Sequence, residues 1–323
     1  MAAVTPTQAT TLTQDPVASD LIEQFPLPLS IAALFPFIKV DGASLRIASV
    51  TAQPPAVTLD GGATTADQTA APVVNPFQMG YIYTRYALTF QAMDGFAYPN
   101  KQDSTQSKLA ARRLLYGFFR EFAGGTVVNP AYPGITGLWG FLSAHASQKQ
   151  AAGTPGTFSI SEFLDAYHLI KTNNGKPTVI MSTTAAKVKY LKALAAAGLD
   201  EKTTKISWLD PSRGRVTADV TAVAGTPWVI NDAMADDDRI FFIVMGLGDS
   251  GTWSRGVTGI IPAGLRGHNG SMFVRRKLEG VSDVSAVGPP LVTDLYSEEL
   301  ISYSWPVGVA IGSPGAVSAY HGF

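Results

Sequence analysis

The sequence contains no cysteine, which excludes disulfide bonds, zinc sites built on thiolates and cysteine nucleophiles. Charged residues are also scarce: they make up 15% of the 323 residues, against about a quarter in an average soluble domain. A surface with so little solvating charge indicates that other protein covers part of it. The length predicts one large domain or two smaller ones.

Long basic runs are lacking as well, and the net charge is only −1. The densest basic clusters are Arg275–Lys277 and the pair Arg112–Arg113. Proteins that read DNA sequence usually concentrate positive charge on one face. Solvated or interface arginines are therefore the favoured interpretation of both clusters.

No segment is suited to export or to membrane insertion. The first basic residue is Lys39, so no positive region precedes an apolar stretch, as a signal peptide requires. The longest strongly apolar run, Ile240–Met245, is too short to cross a bilayer. We therefore expect the chain to fold in a cytoplasm.

The first ninety residues contain little that could fold alone. Residues 1–20 are polar and without an apolar period, and the apolar segment 26–36 is interrupted by prolines. Two extended limbs are predicted next, residues 45–57 and 72–90, around a tip rich in glycine, threonine and aspartate. A two-stranded ribbon is marginal by itself in water. We therefore expect arm and ribbon to rest on a neighbour, with disorder of the ribbon as the alternative.

A long helix is predicted over residues 104–122, where apolar residues recur at three- and four-residue spacing and Gly124 follows as a stop signal. Its basic residues, including Arg112, Arg113 and Arg120, lie largely off the apolar stripe. The pattern is typical of a helix that packs one face on a core.

The middle of the chain predicts a compact α/β unit over residues 155–245. Its second helix begins at a capping box formed by Ser159 and Glu162. A third helix, capped by Ser182 or Thr183 and ended by Gly198, follows a buried strand. The apolar residues named within this helix are Val188, Leu191 and Leu194. The strands predicted from residue 177 onward are 177–181, 228–231, 239–245, 256–261, 271–276, 300–302 and an extended segment at 307–317.

Two glycine-rich motifs suggest catalysis but lack the context that it needs. Gly246–Gly251 fits G-x-G-x-x-G, yet the sequence after it predicts a turn and a strand instead of a helix. In addition, no acidic residue lies between Gly251 and Glu279, where a dinucleotide site needs one. Within it, Gly248-Asp249-Ser250-Gly251 resembles the nucleophile loop of chymotrypsin-like proteases, and His145 precedes Ser250 in the expected order. Helices separate the two, however, so a surface turn is favoured over a protease site.

No metal-ligand spacing is present either. Asp236–Asp238 could bind a cation, but a solvated turn explains it better. The histidines are scattered, at His145, His168, His268 and His321. We accordingly assign no catalytic, cofactor-binding or metal-binding residue and expect no cofactor.

Three stretches, in this order, resemble the Hong Kong 97-type major capsid proteins of tailed bacteriophages: residues 27–47, 177–194 and 224–245. The first resembles that family's arm as it enters the extended loop, and the other two its axial domain. The resemblance implies an α+β fold with an N-terminal arm, an extended β-ribbon loop, a peripheral domain with a long spine helix, and an axial α/β domain. The boundaries that it implies are 1–48 for the arm, 49–92 for the loop, 93–154 and 253–304 for the peripheral domain, and 155–252 and 305–323 for the axial domain.

The function implied by this resemblance is that of a structural subunit, not an enzyme. Such subunits self-assemble into pentamers and hexamers of an icosahedral, Caudoviricetes-like head around double-stranded DNA, which they contact without sequence specificity. The chain would be made in a bacterial host cytoplasm and reside in the virion, with scaffolding, portal and decoration proteins as further partners and no membrane. Because no lysine lies between Lys39 and Lys101, an isopeptide crosslink from the loop is not available. The absence of a long helical scaffolding segment predicts a separate scaffolding protein, none, or a processed chain.

Two other functions remain open from the sequence. An encapsulin-like nanocompartment shell would share the fold but enclose cargo enzymes instead of a genome. A hydrolase built on the α/β unit, with Ser250 as nucleophile, is the alternative from a different class. A secreted binding module is disfavoured by the lack of a signal peptide.

Overall fold

The computed structural model describes residues 31, 34–41, 44–49, 73–89, 102–124, 135–210, 214–246, 256–263, 273–279 and 298–323. The helices are α1 (Gln102–Gly124), α2 (Leu138–Ala144), α3 (Ile160–His168) and α4 (Thr184–Ala196). The strands are β1 (Phe37–Val40), β2 (Ser44–Ser49), β3 (Val73–Thr89), β4 (Lys149–Ala151), β5 (Val179–Ser182), β6 (Thr203–Asp210), β7 (Gly214–Val223), β8 (Thr226–Ile230), β9 (Arg239–Ile243), β10 (Val257–Pro262), β11 (Phe273–Glu279), β12 (Glu298–Ile311) and β13 (Val317–His321).

A six-stranded sheet joins the two ends of the chain. Its order is β1-β10-β12-β3-β2, and β11 also pairs with β12. All neighbours are antiparallel except β1 and β10. The sequence predicts two extended pieces for the long strand β12, 300–302 and 307–317. β12 is instead one strand up to Ile311, and β3 pairs with it from Met79 to Thr89.

Helix α1 covers one face of this sheet, as the apolar spacing predicts. Leu114 and Phe118 are fully buried, and Ile82 of β3 lies so close to Gly117 that an added Cβ there would sit 3.2 Å from its side chain. The ring of Phe118 is 5.2 Å from that of Trp305 on β12. The predicted long helix is confirmed, and it is two residues longer at each end than predicted.

Part of the N-terminal arm packs on its own protomer, contrary to the expectation that the whole arm needs a neighbour. Phe35 is buried against Phe122, with ring centroids 4.8 Å apart. Strand β1 pairs in parallel with β10, and the Thr258 hydroxyl donates to the carbonyl of Pro36 over 3.1 Å. The arm binds here because β10 offers an edge for β1 to pair with and α1 offers aromatic rings for Phe35 to pack on. Residues 1–30 and the ribbon tip, 50–72, lie outside the described residues.

A seven-stranded mixed sheet forms the other half, in the order β4-β13-β9-β5-β8-β7-β6. Its central strand β5 is buried along its whole length, so the predicted buried strand is confirmed. The predicted strands at 228–231 and 239–245 correspond to β8 and β9. The hairpin of β6 and β7 was not predicted.

Helices α3 and α4 belong to this half and correct two details. Ser159 accepts the N–H of Glu162 over 3.4 Å, but the Glu162 carboxylate does not complete the capping box. It accepts instead from the Gly153 N–H and the Tyr320 hydroxyl. On α4, Val188 is exposed, because the buried residues Ala186, Tyr190 and Leu194 recur every four positions and Val188 lies between them. Thr183 is the N-cap, and Gly198 has the positive φ expected past a helix end.

The two sheets share one apolar core. A single cluster of buried residues contains Phe118 from α1, Phe242 from β9 and Val309 from β12. The chain changes sheet between Ile311 and Val317, through a 3-10 turn. Because this cluster spans both sheets, the domain boundaries given above stay predictions.

Candidate functional site

The glycine-rich motif offers no catalytic arrangement within the described residues. Gly246 donates its N–H to the Val257 carbonyl over 2.7 Å, and the chain then runs along β10. A strand therefore follows, as the sequence predicts. Ser250 lies outside the described residues, and the His145 ring packs 4.5 Å from Phe141 at the end of α2.

The aspartate run is engaged by an arginine. Asp236 lies 2.5 Å from the guanidinium of Arg239, and Asp238 lies 4.0 Å from it. The same guanidinium stacks 3.9 Å above the Trp139 ring. Across the part of the chain that the structure describes, no three histidine, aspartate or glutamate residues form a group that could hold a metal ion.

Groups with perturbed pKa values lie at packing positions. Burial raises the pKa of Tyr320, a hydrogen bond from Ser159 lowers it, and Glu162 raises it further. Burial, and then Glu201, raise the pKa of Tyr190. Burial and then Lys149 lower the pKa of His321, which lies 5.2 Å from the Trp139 ring. The shifts report desolvation in the core and along the edge of a sheet, and they do not converge on a cleft.

The candidate functional features of this protein are exposed surfaces, and the first is the outer face of β3. The outer face of β3 exposes Tyr81 by 73% and Tyr83 by 57%, and Arg85 is exposed beside them. Alternate residues of a strand point to opposite faces, so this surface lies on the side of the sheet away from α1, towards which Ile82 points. Two large aromatic side chains in a row are unusual on a free surface and are typical of one that another protein covers.

The hairpin of β6 and β7 is a second surface of this kind. Eight residue pairs join the two strands, from Thr203 opposite Thr221 to Asp210 opposite Gly214. Only Ala222 and Val223 of β7 pair with β8. The rest of the hairpin extends beyond the sheet, and its outer edges carry backbone groups that no other described strand pairs with. Such edges are templates for contact with another chain.

The arginines singled out in the sequence lie on two elements. Arg112 and Arg113 are exposed on α1, whereas Arg275–Lys277 lies within β11, in register with Leu300–Ser302 of β12. His168 is exposed near the Tyr167 ring, and His268 falls outside the described residues. No helix within the described ranges is long and apolar enough to cross a membrane.

Comparison with known proteins identifies the fold. Scans against protein-family models and against curated proteins give no match. Among solved structures, the SrpI encapsulin complex of Synechococcus elongatus PCC 7942 gives a TM-score of 0.66 at 14% identity, covering 99% of this chain and 96% of that one. The capsid of an empty GTA particle gives 0.60 at 14% identity, with 99% and 98% covered. A structure from Mycobacterium phage Bobi gives 0.60 at 13% identity, with 99% of both chains covered. The likeness therefore extends over both sheets and confirms the predicted architecture.

Proposed function

We propose, from the Hong Kong 97-type capsid fold that this chain has, that it is the major capsid protein of a tailed bacteriophage. Copies assemble into pentamers and hexamers, which close an icosahedral head around double-stranded DNA. The observation that carries this proposal is the likeness over 99% of the chain to an encapsulin and to the capsid of a GTA particle. The role is structural: the chain uses no catalytic residue, cofactor or metal ion.

Two exposed surfaces support assembly. The Tyr81 and Tyr83 side chains are removed from water when another copy covers the sheet, which stabilises an interface through apolar area and stacking. The hairpin of β6 and β7 acquires partners for its edges in the same way. Interfaces between obligate subunits bury on the order of 2,000–5,000 Å². In the proposed ring, each copy presents one surface and receives another, which is the heterologous contact that closes by rotation.

An encapsulin-like nanocompartment shell is the second candidate, since the SrpI encapsulin is among the similar structures. The two functions share a shell and differ in what it encloses. We favour the phage head because of the proline-rich arm and the long ribbon predicted from residues 26–36 and 45–90.

Electron microscopy of particles purified from the producing cells tests the proposal. We expect closed icosahedral particles that contain nuclease-protected DNA and carry a portal or tail. Particles filled with enzyme and free of DNA would favour the nanocompartment. A chain that stays monomeric at high concentration and has a hydrolase activity abolished by Ser250→Ala would overturn both.

The double substitution Tyr81→Ser with Tyr83→Ser tests the surface itself. Since both side chains are exposed in the protomer, we expect unchanged circular dichroism and urea unfolding but no closed particles. Normal particles from this variant would exclude the outer face of β3 as an assembly contact.

A further inference from the structure

Among the side chains that the structure describes, the exposed face of helix α1 consists of arginines. Among the side chains described between residues 109 and 124, only Arg112, Arg113 and Arg120 are exposed. Arg113 and Arg120 are seven residues apart and therefore lie on the same side of the helix, about 10 Å from each other along its axis. Leu114 and Phe118, which are buried on the side that packs on the six-stranded sheet, lie about 100° and 140° around the helix axis from Arg113.

Two of the three charges, those of Arg113 and Arg120, have no ion-pair partner among the residues that the structure describes. Glu121 is half-buried and lies about 100° around the helix axis from Arg120. The Asp232 carboxylate accepts bonds from the backbone N–H and hydroxyl of Thr184, at 2.7 and 2.8 Å.

Within the described part of the helix, the same face has no exposed apolar side chain that could act as an anchor. Leu109 and Tyr116 are the neighbours of the arginines around the helix, and both are half-buried. The Tyr116 hydroxyl is turned to the Asp232 carbonyl, 3.3 Å away. A docking site for a protein segment is built around buried aromatic or aliphatic anchors. Positive charge without such anchors suits a polyanion bound through its phosphates, a contact that carries no sequence information.

We infer that Arg113 and Arg120, flanked by Arg112, contact the phosphate backbone of double-stranded DNA on the inner side of the shell. The inference rests on the proposed function and deepens it, because it states which face of the six-stranded sheet is turned towards the enclosed DNA. The α1 side faces the lumen and the DNA. The opposite side, with Tyr81, Tyr83 and Arg85, faces away from it.

Salt-dependent DNA binding tests this assignment. Full-length subunits below their assembling concentration are titrated with a short random-sequence duplex between about 50 and 200 mM salt. The slope of log K against log salt is negative, and removing one arginine–phosphate pair reduces its magnitude by about 0.9. Arg113→Gln with Arg120→Gln should therefore reduce that magnitude by about 1.8. Glutamine keeps the length and helix propensity of the side chain. An unchanged melting temperature shows that the fold is intact.

The control is Arg85→Gln, which removes one positive charge from the opposite face of the sheet and should leave the slope unchanged. In particles assembled from the double variant, we expect less nuclease-protected DNA than in the wild type. An unchanged slope in the double variant, an equal loss per charge in the control, or a wild-type subunit that does not bind duplex would each overturn the inference. So would a double variant that keeps its DNA affinity but no longer forms particles, since the arginines would then contact a second copy. If the wild type forms closed particles and only the slope result is negative, this inference fails and the proposed shell function stands.

Discussion

The two sheets of this protein differ in how far apart their strands lie in the sequence. Five of the seven strands in the larger sheet come from residues 179–243. In the six-stranded sheet, three strands precede residue 90 and the other three follow residue 256. The first sheet can therefore form mainly from local contacts, whereas the second requires the chain's two ends to meet. The exposed Tyr81 and Tyr83 belong to the sheet built from long-range contacts, whereas the exposed hairpin of β6 and β7 belongs to the other.

The largest expected effect comes from substitutions in the core that the two sheets share. Trp228 stacks 5.6 Å from Phe163 beneath the seven-stranded sheet, and Phe118 fills the space under the other. We expect Trp228→Ala and Phe118→Ala each to lower the free energy of unfolding by about 3–5 kcal/mol. Because both rings belong to one cluster, urea unfolding of the unassembled subunit should show one transition that either variant shifts.

Leu164→Ala is the control, since that side chain is 39% exposed and its removal leaves no cavity. Two transitions, each moved by only one of the core substitutions, would mean that the sheets fold independently.

A buried amide joins the two halves and provides the next test. The Asn231 side chain is fully buried, donates to the Phe119 carbonyl of α1 over 3.2 Å and accepts from the Ala233 N–H at 3.2 Å. Asn231→Ala leaves the Ala233 N–H without this acceptor, so we expect a loss of about 1–3 kcal/mol in urea unfolding. Asn174→Gly, at an exposed residue with φ +56°, should have almost no effect. A loss no larger than that of Asn174→Gly would show that the amide does not couple the halves.

Displacing β1 separates the ends of the chain without touching the larger sheet. A Cβ on Gly259 would overlap the rings of Phe35 and Phe37. We expect Gly259→Ala to cost roughly 1–3 kcal/mol and to speed tryptic cleavage at Lys39, followed by mass spectrometry. At Gly124 an added Cβ meets no atom within 4 Å, so Gly124→Ala is the control. Equal cleavage rates in both variants would argue against the β1–β10 contact.

The smallest effect concerns pH at the edge of the larger sheet. Burial and Lys149 hold the folded-state pKa of His321 below its ordinary value of 6.5. The unfolded chain therefore binds the proton more readily, so this stabilisation is complete above pH 6.5 and is lost as pH falls towards the folded-state pKa. We expect His321→Gln to flatten the fall in urea stability below pH 6.5, and the exposed His168→Gln to leave it unchanged. A steeper fall in the His321 variant would contradict the sign.

The parts of the fold that the sequence predicts are those with strong local signals. Strand β5 and helix α4 follow from a buried apolar run, a Thr183 cap and a terminal Gly198. The missed hairpin also had a signal, since Ile206 and Trp208 alternate with polar residues before the turn at Pro211. The capping box failed because Tyr320, far along the chain, competes for Glu162.

The candidate surfaces depend on contacts that local patterns do not encode. The run 81–90 predicts a strand, but only the position of α1 decides that Ile82 is covered and that Tyr81 and Tyr83 are exposed. The arginines of α1 were placed off its apolar stripe by spacing alone, and this is confirmed for Arg112, Arg113 and Arg120. What spacing could not supply is the lack of carboxylates near Arg113 and Arg120 in three dimensions, among the residues that the structure describes.

The pairing of β1 with β10 has a consequence for biosynthesis. The residues it joins, Pro36 and Thr258, are 222 positions apart. At about 5–20 residues per second, β1 leaves the ribosome roughly 10–45 s before its partner strand exists. During that interval β1 has no strand to pair with, although α1, on which Phe35 packs, is already made. Every nascent copy therefore passes through a period with an unpaired aromatic strand. In a polysome that translates many copies at once, molecular chaperones that shield this segment would set the yield of usable subunits.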